Sequence, residues 1–307
     1  MKIVFMGTPD FAVPCLRTLA ESQHEIPAVF TQPDKPKGRG YKMIPTPVKS
    51  VAMEYNIPVY QPLSLRKGED AQQSLETLKN ISPDLIVVTA YGQILPKEIL
   101  EIPKYGCINI HASLLPAYRG SAPINWCILN GEKITGVTSM MMAEGLDTGD
   151  MLIKKSTEIG ENEIYQELYE RLSEMGGEVL AETIQAIENG TLSPKKQDDS
   201  LSSYSPMIRK EMSALDFSES VQKVHNTIRG VTGFTTLNGK RLKVFRSEIV
   251  SGNSDAENGC IVNPKDFTVK CSDGLIRFCE IQLEGSKRMK TADFLRGKKL
   301  TSGEKLG

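Results

Sequence analysis

Asp84-Leu-Ile-Val-Val-Thr89 sets four aliphatic residues in a row, with no polar residue between them. A strand of this kind must be buried on both faces, the pattern of a central strand in a parallel sheet. The neighbouring segments extend it. Leu75–Ile81 ends a helix just before it, and Cys107-Ile-Asn-Ile-His111 is a second buried strand just after. At the start of the chain, Lys2-Ile-Val-Phe-Met6 is another, broken by Gly7-Thr-Pro-Asp10. Phe11, Cys15, Leu16 and Leu19 then recur at helical spacing. A strand at Pro27–Thr31, a short helix over Val48–Tyr55 and a strand at Ile57–Tyr60 continue the alternation. A long amphipathic helix runs from Glu163 to Ile187 and stops at Asn189-Gly190. Strands alternating with helices predict an α/β, Rossmann-like parallel sheet covered on both faces. Ligands of such sheets bind beyond the C-terminal strand ends, at a topological switch point.

Past Gly190 the pattern changes. Thr191–Pro206, rich in Ser, Pro and charge, reads as a linker. A helix over Ser220–Arg229 follows, then short strands at Thr235–Leu237, Lys240–Ile249, Gly259–Val262, Thr268–Cys271 and Leu275–Gln282. Asn238-Gly239 and Asp273-Gly274 are hairpin signals. Such a series of short strands fits a small OB-like β-barrel. The expected organisation is a catalytic domain over residues 1–190, a linker over 191–206 and a second domain over 207–307.

Charge is close to balanced over the whole chain but unevenly placed. Residues 207–307 carry 18 Lys and Arg against 12 Asp and Glu, while residues 1–206 carry 19 against 26. A basic C-terminal third suggests an anionic partner, although an uneven solvated surface gives the same count. The six cysteines (15, 107, 127, 260, 271 and 279) form no Cys-x-x-Cys pair, and no histidine stands at a zinc-like spacing. They read as reduced thiols filling core gaps, with no disulfide and no metal expected. No apolar run approaches the roughly 18–20 residues that span a bilayer, and the short apolar start lacks a signal-peptide pattern. A cytoplasmic protein with no membrane partner is expected.

The densest chemistry lies between Asn109 and Asp150. Asn109 and His111 are two apart on a strand and so share a face. Two polar side chains leaving the C-terminal end of a buried strand need hydrogen-bond partners or a ligand. Downstream, Glu144-Gly-Leu-Asp-Thr-Gly-Asp150 is a tight loop whose Asp147 can reach a strand-end histidine. The plain alternative is a polar pair capping the strand, and a turn made of turn-favouring Asp and Gly. The chemical reading is acyl transfer to an amine without a covalent intermediate. Asn109 and His111 would donate to the developing oxyanion. Asp147 would orient His111, accept the proton, or both. No Ser or Cys has a base beside it in the pattern, which argues against a covalent nucleophile.

Five segments together resemble the methionyl-tRNA formyltransferase family. They are Phe5-Met-Gly-Thr-Pro-Asp-Phe-Ala12, Ala90-Tyr-Gly-Gln-Ile-Leu-Pro96, Gly106-Cys-Ile-Asn-Ile-His111, Ser113-Leu-Leu-Pro-Ala-Tyr-Arg-Gly-Ser-Ala-Pro123 and Gly145-Leu-Asp-Thr-Gly-Asp-Met151. The Asn-x-His-x-Ser-Leu-Leu-Pro run with Leu-Asp-Thr-Gly downstream is shared by several folate-dependent formyl-transfer families. The resemblance implies that Asn109, His111 and Asp147 are the catalytic trio. It places Ser113, Leu114, Leu115 and Pro116 in the folate-binding segment, and Tyr91, Gln93, Ile94 and Leu146 around the pterin. It implies 10-formyltetrahydrofolate as co-substrate, initiator methionyl-tRNA as acceptor, an OB-like tRNA-binding C-terminal domain and a monomer.

What points to the tRNA-using member is the stretch from Asp34 to Lys49, which holds five Lys and Arg and one Asp. It resembles the family's insertion loop, which implies that Lys35, Lys37, Arg39, Tyr41 and Lys42 meet the acceptor end of the RNA. Lys and Arg would follow phosphates, and Tyr41 would stack on a base. Lys240-Arg-Leu-Lys243 and Lys287-Arg-Met-Lys290 would supply a second contact. The chain departs from the family at Ile228–Thr235, where the usual Asn-Pro-Trp-Pro turn is absent. Three rivals remain open to test. A formyltransferase acting on a small amine such as an amino sugar would not need the basic stretch. A dinucleotide oxidoreductase fits poorly, because Gly7-Thr-Pro-Asp10 lacks the Gly-x-Gly-x-x-Gly phosphate loop. A non-catalytic RNA-binding module would leave the Asn-His-Asp set idle.

Overall fold

The computed structural model describes residues 1–37 and 42–307, and gives residues 37 and 42 as backbone. In chain order the first part holds β1 (Lys2–Gly7), α1 (Val13–Ala20), β2 (Glu25–Phe30), β3 (Lys35–Lys37), β4 (Lys42–Ile44), α2 (Pro47–Glu54), β5 (Val59–Tyr60), α3 (Gly68–Ile81), β6 (Leu85–Thr89), α4 (Lys97–Leu100), β7 (Cys107–His111) and β8 (Arg119–Gly120). It continues with α5 (Pro123–Leu129), β9 (Ile134–Met141), β10 (Met151–Glu158) and α6 (Tyr165–Glu188). By contact density Met1–Gly120, Thr135–Thr157 and Tyr169–Tyr204 form one compact unit, and Ser121–Ile134, Glu158–Leu168 and Ser205–Gly307 form another. No helix among the described residues is long and apolar enough to cross a membrane.

The first unit is built on a seven-stranded sheet ordered β10-β9-β7-β6-β1-β2-β5. Every residue of β6 is buried, as its unbroken aliphatic run requires. Val4, Met6, Ile86 and Val88 join one apolar cluster with Phe30 and Leu78. Their alternates Ile3, Phe5, Leu85 and Val87 are fully buried as well, so both faces are covered. Each such side chain contributes roughly 1.5–3 kcal/mol on burial. The expected Rossmann-like sheet is present, with one addition. β5, β2, β1, β6 and β7 run parallel, but β9 lies antiparallel to β7. A strand beside the parallel set can return this way without a covering crossover. The strand order reverses between β1 and β6, which puts the switch point at their C-terminal ends.

The second unit contains α7 (Val221–Val231), preceded in the chain by the two-residue strand β11 (Tyr204–Ser205). β12 (Gly233–Leu237), β13 (Lys240–Val250), β14 (Ile261–Asn263), β15 (Thr268–Lys270), β16 (Leu275–Leu283), β17 (Met289–Lys290) and α8 (Thr291–Gly297) follow. The sheet is antiparallel, ordered β12-β13-β16-β15-β14, with β17 pairing β16. Asn238 and Gly239 both have positive φ, 51° and 70°, and so make the tight turn that their sequence signals. Phe217, Ile228, Leu242, Phe267, Ile276, Phe278 and Phe294 share the core.

α7 also buries three polar residues. His225 bonds Ser247 Oγ through Nδ1 at 2.8 Å and donates from Nε2 to Glu161 O at 3.0 Å. Arg229 donates to Gly160 O, Glu163 O and Asn226 Oδ1. These bonds give the buried His225 and Arg229 side chains the partners that buried polar groups need. Burial holds the His225 imidazole below its ordinary range; nearby Arg229 acts in the same direction, against the Glu161 hydrogen bond and the charges of Glu248 and Glu161. The folded state therefore resists a proton that the unfolded chain accepts below about pH 6.5. Stability is lost as pH falls through that value. In His225→Gln, which keeps a donor and an acceptor, the thermal midpoint should fall less on acidification than in the parent. Thermal scans from neutral to mildly acid pH read this, and equal slopes would contradict it.

Candidate active site

β7 carries the first two residues. Asn109 pairs with Val88 of β6 on one side and Met140 of β9 on the other, so its backbone is fixed from both directions. His111 stands opposite Thr138 at the last residue of the strand. His111 is buried and Asn109 half-buried. Among the described residues the Asn109 amide has no hydrogen-bond partner.

His111 is oriented by a main-chain carbonyl. Its Nε2 lies 2.9 Å from Tyr118 O. A carbonyl only accepts, so Nε2 carries a hydrogen. Nδ1 then faces Asp147 Oδ2 at 3.7 Å, both side chains being largely buried. That separation is long for a hydrogen bond and close for an ion pair. With Nε2 committed to Tyr118 O, Nδ1 is the edge of the ring turned to the Asp147 carboxyl.

Asp147 is held by the loop between β9 and β10. Its φ of 52° is left-handed, a conformation costing roughly 1–2 kcal/mol outside glycine. Its Oδ2 accepts from Gly120 N at 2.8 Å. Gln197 Nε2 donates to Asp147 O and to Gly149 O, both at 2.8 Å. A Cβ on Gly149 would sit 1.8 Å from Met141 O, so this close approach demands glycine.

The segment after β7 is tied down from within. Ser113 Oγ donates to Ala117 O at 2.6 Å, and Thr138 Oγ1 donates to Ser113 O and accepts from Leu115 N. Lys154 Nζ donates to Leu115 O. Burial, aided by the nearby Lys195, holds the Lys154 ammonium below its ordinary range. Ser113 and Leu115 are thus buried and engaged, and only Leu114 and Pro116 of this segment present surface.

After β6, Tyr91 turns inward. Its ring joins the core, its carbonyl accepts from Thr8 Oγ1 and Gln32 Nε2, and its buried hydroxyl has no partner among the described residues. Gln93 is spent on Leu65 N and Pro62 O. Ile94 and Leu146 are 64% and 59% exposed, large apolar side chains available to a ligand.

The basic stretch holds a two-stranded ribbon, with Lys35 opposite Ile44, Pro36 opposite Met43 and Lys37 opposite Lys42. Lys35 is exposed. Arg39 and Tyr41 lie outside the described residues. The base of the ribbon is clamped. Lys49 Nζ donates to Asp34 Oδ2 and Gln61 Oε1, and Gln61 Nε2 returns to Asp34 Oδ1, all within 2.7 Å. The Lys49 hydrogen bond, then that of Gln61, holds the Asp34 carboxyl below the usual range. In the second unit Arg241 stacks on Phe234 at 3.7 Å, while Arg288 lies over Phe245 and forks onto Glu280.

Sequence reasoning missed Gln197 and Tyr118. Gln197 falls in the Ser- and charge-rich stretch read as a linker, and Tyr118 acts through a carbonyl that every residue has. Among the described residues no group of three or more His, Cys, Asp and Glu could hold a metal.

Comparison with known proteins shows the family. Residues 1–184 match the formyl transferase family, and residues 207–299 match the formyl transferase C-terminal domain. A methionyl-tRNA formyltransferase of Citrifermentans bemidjiense is 52% identical over 100% of this chain and 96% of its own. Those of Geobacter sulfurreducens and Clostridium novyi are both 49% identical, over 100% and 97% of this chain and 97% of each of theirs. Among solved structures, the sugar 3N-formyl transferase WlaRD superposes with a TM-score of 0.68 at 22% identity, covering 94% of this chain and 99% of that one. HypX from Aquifex aeolicus with tetrahydrofolic acid gives 0.61 at 18%, over 96% of this chain and 47% of that one. At such identities these two speak for the fold alone. With both halves matched and full-length relatives at 49–52% identity, the chain belongs to the methionyl-tRNA formyltransferase family.

Proposed function

We propose that this protein transfers the formyl group of 10-formyltetrahydrofolate to the α-amino group of initiator methionyl-tRNA. The observation that carries the chemistry is the Asn109 amide, without a partner among the described residues, on the strand face that also bears His111 of the His111–Asp147 pair. The neutral amine attacks the formyl carbon, and a tetrahedral oxyanion forms. Asn109, whose amide is not spent elsewhere, meets that oxyanion. His111 has its Nε2 hydrogen engaged by Tyr118 O, so its free edge is Nδ1. The His111–Asp147 pair takes the proton that the attacking nitrogen loses and returns it to N10 of the folate as the carbon–nitrogen bond breaks. The new amide bond and the released tetrahydrofolate balance the step. Much of an aminoacyl amine, with a pKa near or below about 7.7–8.0, is already neutral near neutrality, so positioning matters more than a strong base.

Leu114, Pro116, Ile94 and Leu146 offer the apolar surface for the folate, and main-chain groups of residues 91–95 and 144–147 offer its polar contacts. The basic stretch, with Lys35, Lys37, Arg39, Tyr41 and Lys42, grips the acceptor end of the tRNA, and the clamp of Asp34, Lys49 and Gln61 holds the base of its ribbon. Phosphate contacts there supply affinity and salt sensitivity rather than chemistry.

Product mass after mixing protein, folate donor and charged tRNA tests the reaction. Formylmethionyl-tRNA is expected; formylation of an amino sugar in place of tRNA would overturn the acceptor. Asn109→Ala should lower kcat about a hundredfold to a thousandfold, the loss typical of one oxyanion donor, with folding intact. A wild-type rate in the Asn109→Ala, His111→Ala double variant would mean a non-catalytic RNA-binding protein. Lys35→Ala and Arg39→Ala should each raise KM for tRNA and reduce the slope of log affinity against log salt by about one, leaving folate affinity unchanged. An unaltered tRNA dependence would remove the ribbon from recognition.

A further inference from the structure

Gln197 is only 6% exposed, although it lies in a stretch whose composition is that of a surface linker. The chain around it is docked: Met151 and Lys195 exchange two backbone hydrogen bonds of 2.8 Å. Arg119 Nε and Nη2 both donate to Gln197 Oε1, at 3.0 and 2.8 Å, and Nη2 also reaches Asp199 Oδ1 at 2.7 Å. Arginine can only donate, so the Gln197 oxygen must face it and the NH2 group must face the other way. What lies there is the main chain of the loop that carries Asp147. The two Nε2 hydrogens are spent on the carbonyls of Asp147 and Gly149.

We propose that Gln197 is a positioning residue for formyl transfer: its side-chain amide, aimed by Arg119, pins the backbone of Asp147 and Gly149 so that the Asp147 carboxylate stays turned to His111. This rests on the reading that Asp147 acts in the transfer. Asp147 needs such support because its left-handed backbone is not one it would choose alone. The side chain is braced at Oδ2 by Gly120 N. The backbone bond from Gln197 fixes the other end of the same residue. With both ends held, the carboxylate has little freedom to swing from Nδ1 of His111. Arg119 serves both braces, since its neighbour Gly120 supplies the N–H and its guanidinium orients the amide. The segment leading from the formyl-transfer fold towards the second unit thus completes the active site.

The test is a kinetic cycle on the full-length protein with charged tRNA and the folate donor, using Gln197→Leu, Asp147→Asn and the two combined. A geometric displacement of about 1 Å can cost about a hundredfold, so Gln197→Leu should lower kcat about tenfold to a hundredfold, with KM for both substrates within about twofold. In the Asp147→Asn background the same substitution should leave the residual single-turnover rate unchanged, because the group it positions is already gone. If Gln197→Leu leaves kcat at the parent value, or lowers it by the same factor in both backgrounds, the proposal fails. If Asp147→Asn alone keeps full activity, it is the assignment of Asp147 that fails. Should Gln197→Leu not fold, Gln197→Glu keeps the size and the Arg119 contact while removing the donor, and the same two outcomes apply to it.

Discussion

One edge of an imidazole faces a carboxyl oxygen inside this protein, 3.7 Å apart and mostly shut away from water. The Tyr118 carbonyl fixes the tautomer of His111 by taking the Nε2 hydrogen, and the Gly120 N–H fixes the carboxylate. In a buried setting such contacts are worth more than in water, because charge and hydrogen bonding are less screened there. The sheet puts Asn109 on the same strand face, two residues before the histidine. The rest of the first unit can be read as the means of keeping these three groups in register. The rigid exit of β7 between β6 and β9 supplies two of them, and a tight loop supplies the third.

Much of this was legible in the sequence, for reasons that differ by residue. The continuous aliphatic run at 85–88 can only be a strand buried on both faces, and it is one. Asn109 and His111 stood out because polar side chains at the end of such a strand require an explanation. Asn238-Gly239 specified its turn because few residue pairs accept two consecutive left-handed conformations. By contrast β3 and β4 were hidden by Pro36 and by lysines, residues poor in strand propensity. The antiparallel return of β9 carries no composition of its own. Tyr91 and Gln93 match the family's motif by name, yet one ring faces the core and the other amide holds the 62–65 segment. A motif identifies positions but does not reveal which atoms are left for a ligand.

The polar residues invisible to pattern reading share a feature: they bond to main-chain carbonyls. Gln197, His225 and Arg229 each do so across 48 to 69 residues of chain. Such contacts depend on where a distant backbone comes to rest, which no local spacing encodes. They also give almost fully buried charged and amide side chains hydrogen-bond partners. The ribbon that starts at the exposed Lys35 is anchored by Lys49 and Gln61, whereas His111 and Asp147 are largely enclosed.

The central claim is that the Asn109 amide meets the formyl oxygen while the His111–Asp147 pair waits for the proton. A structure of the protein with an unreactive 10-formyl folate analogue measures this directly. The account predicts the Asn109 amide nitrogen within about 2.7–3.2 Å of that oxygen, and Nδ1 of His111 on the side from which an amine approaches. A formyl group seated away from β7, with Asn109 still without a partner, would contradict it.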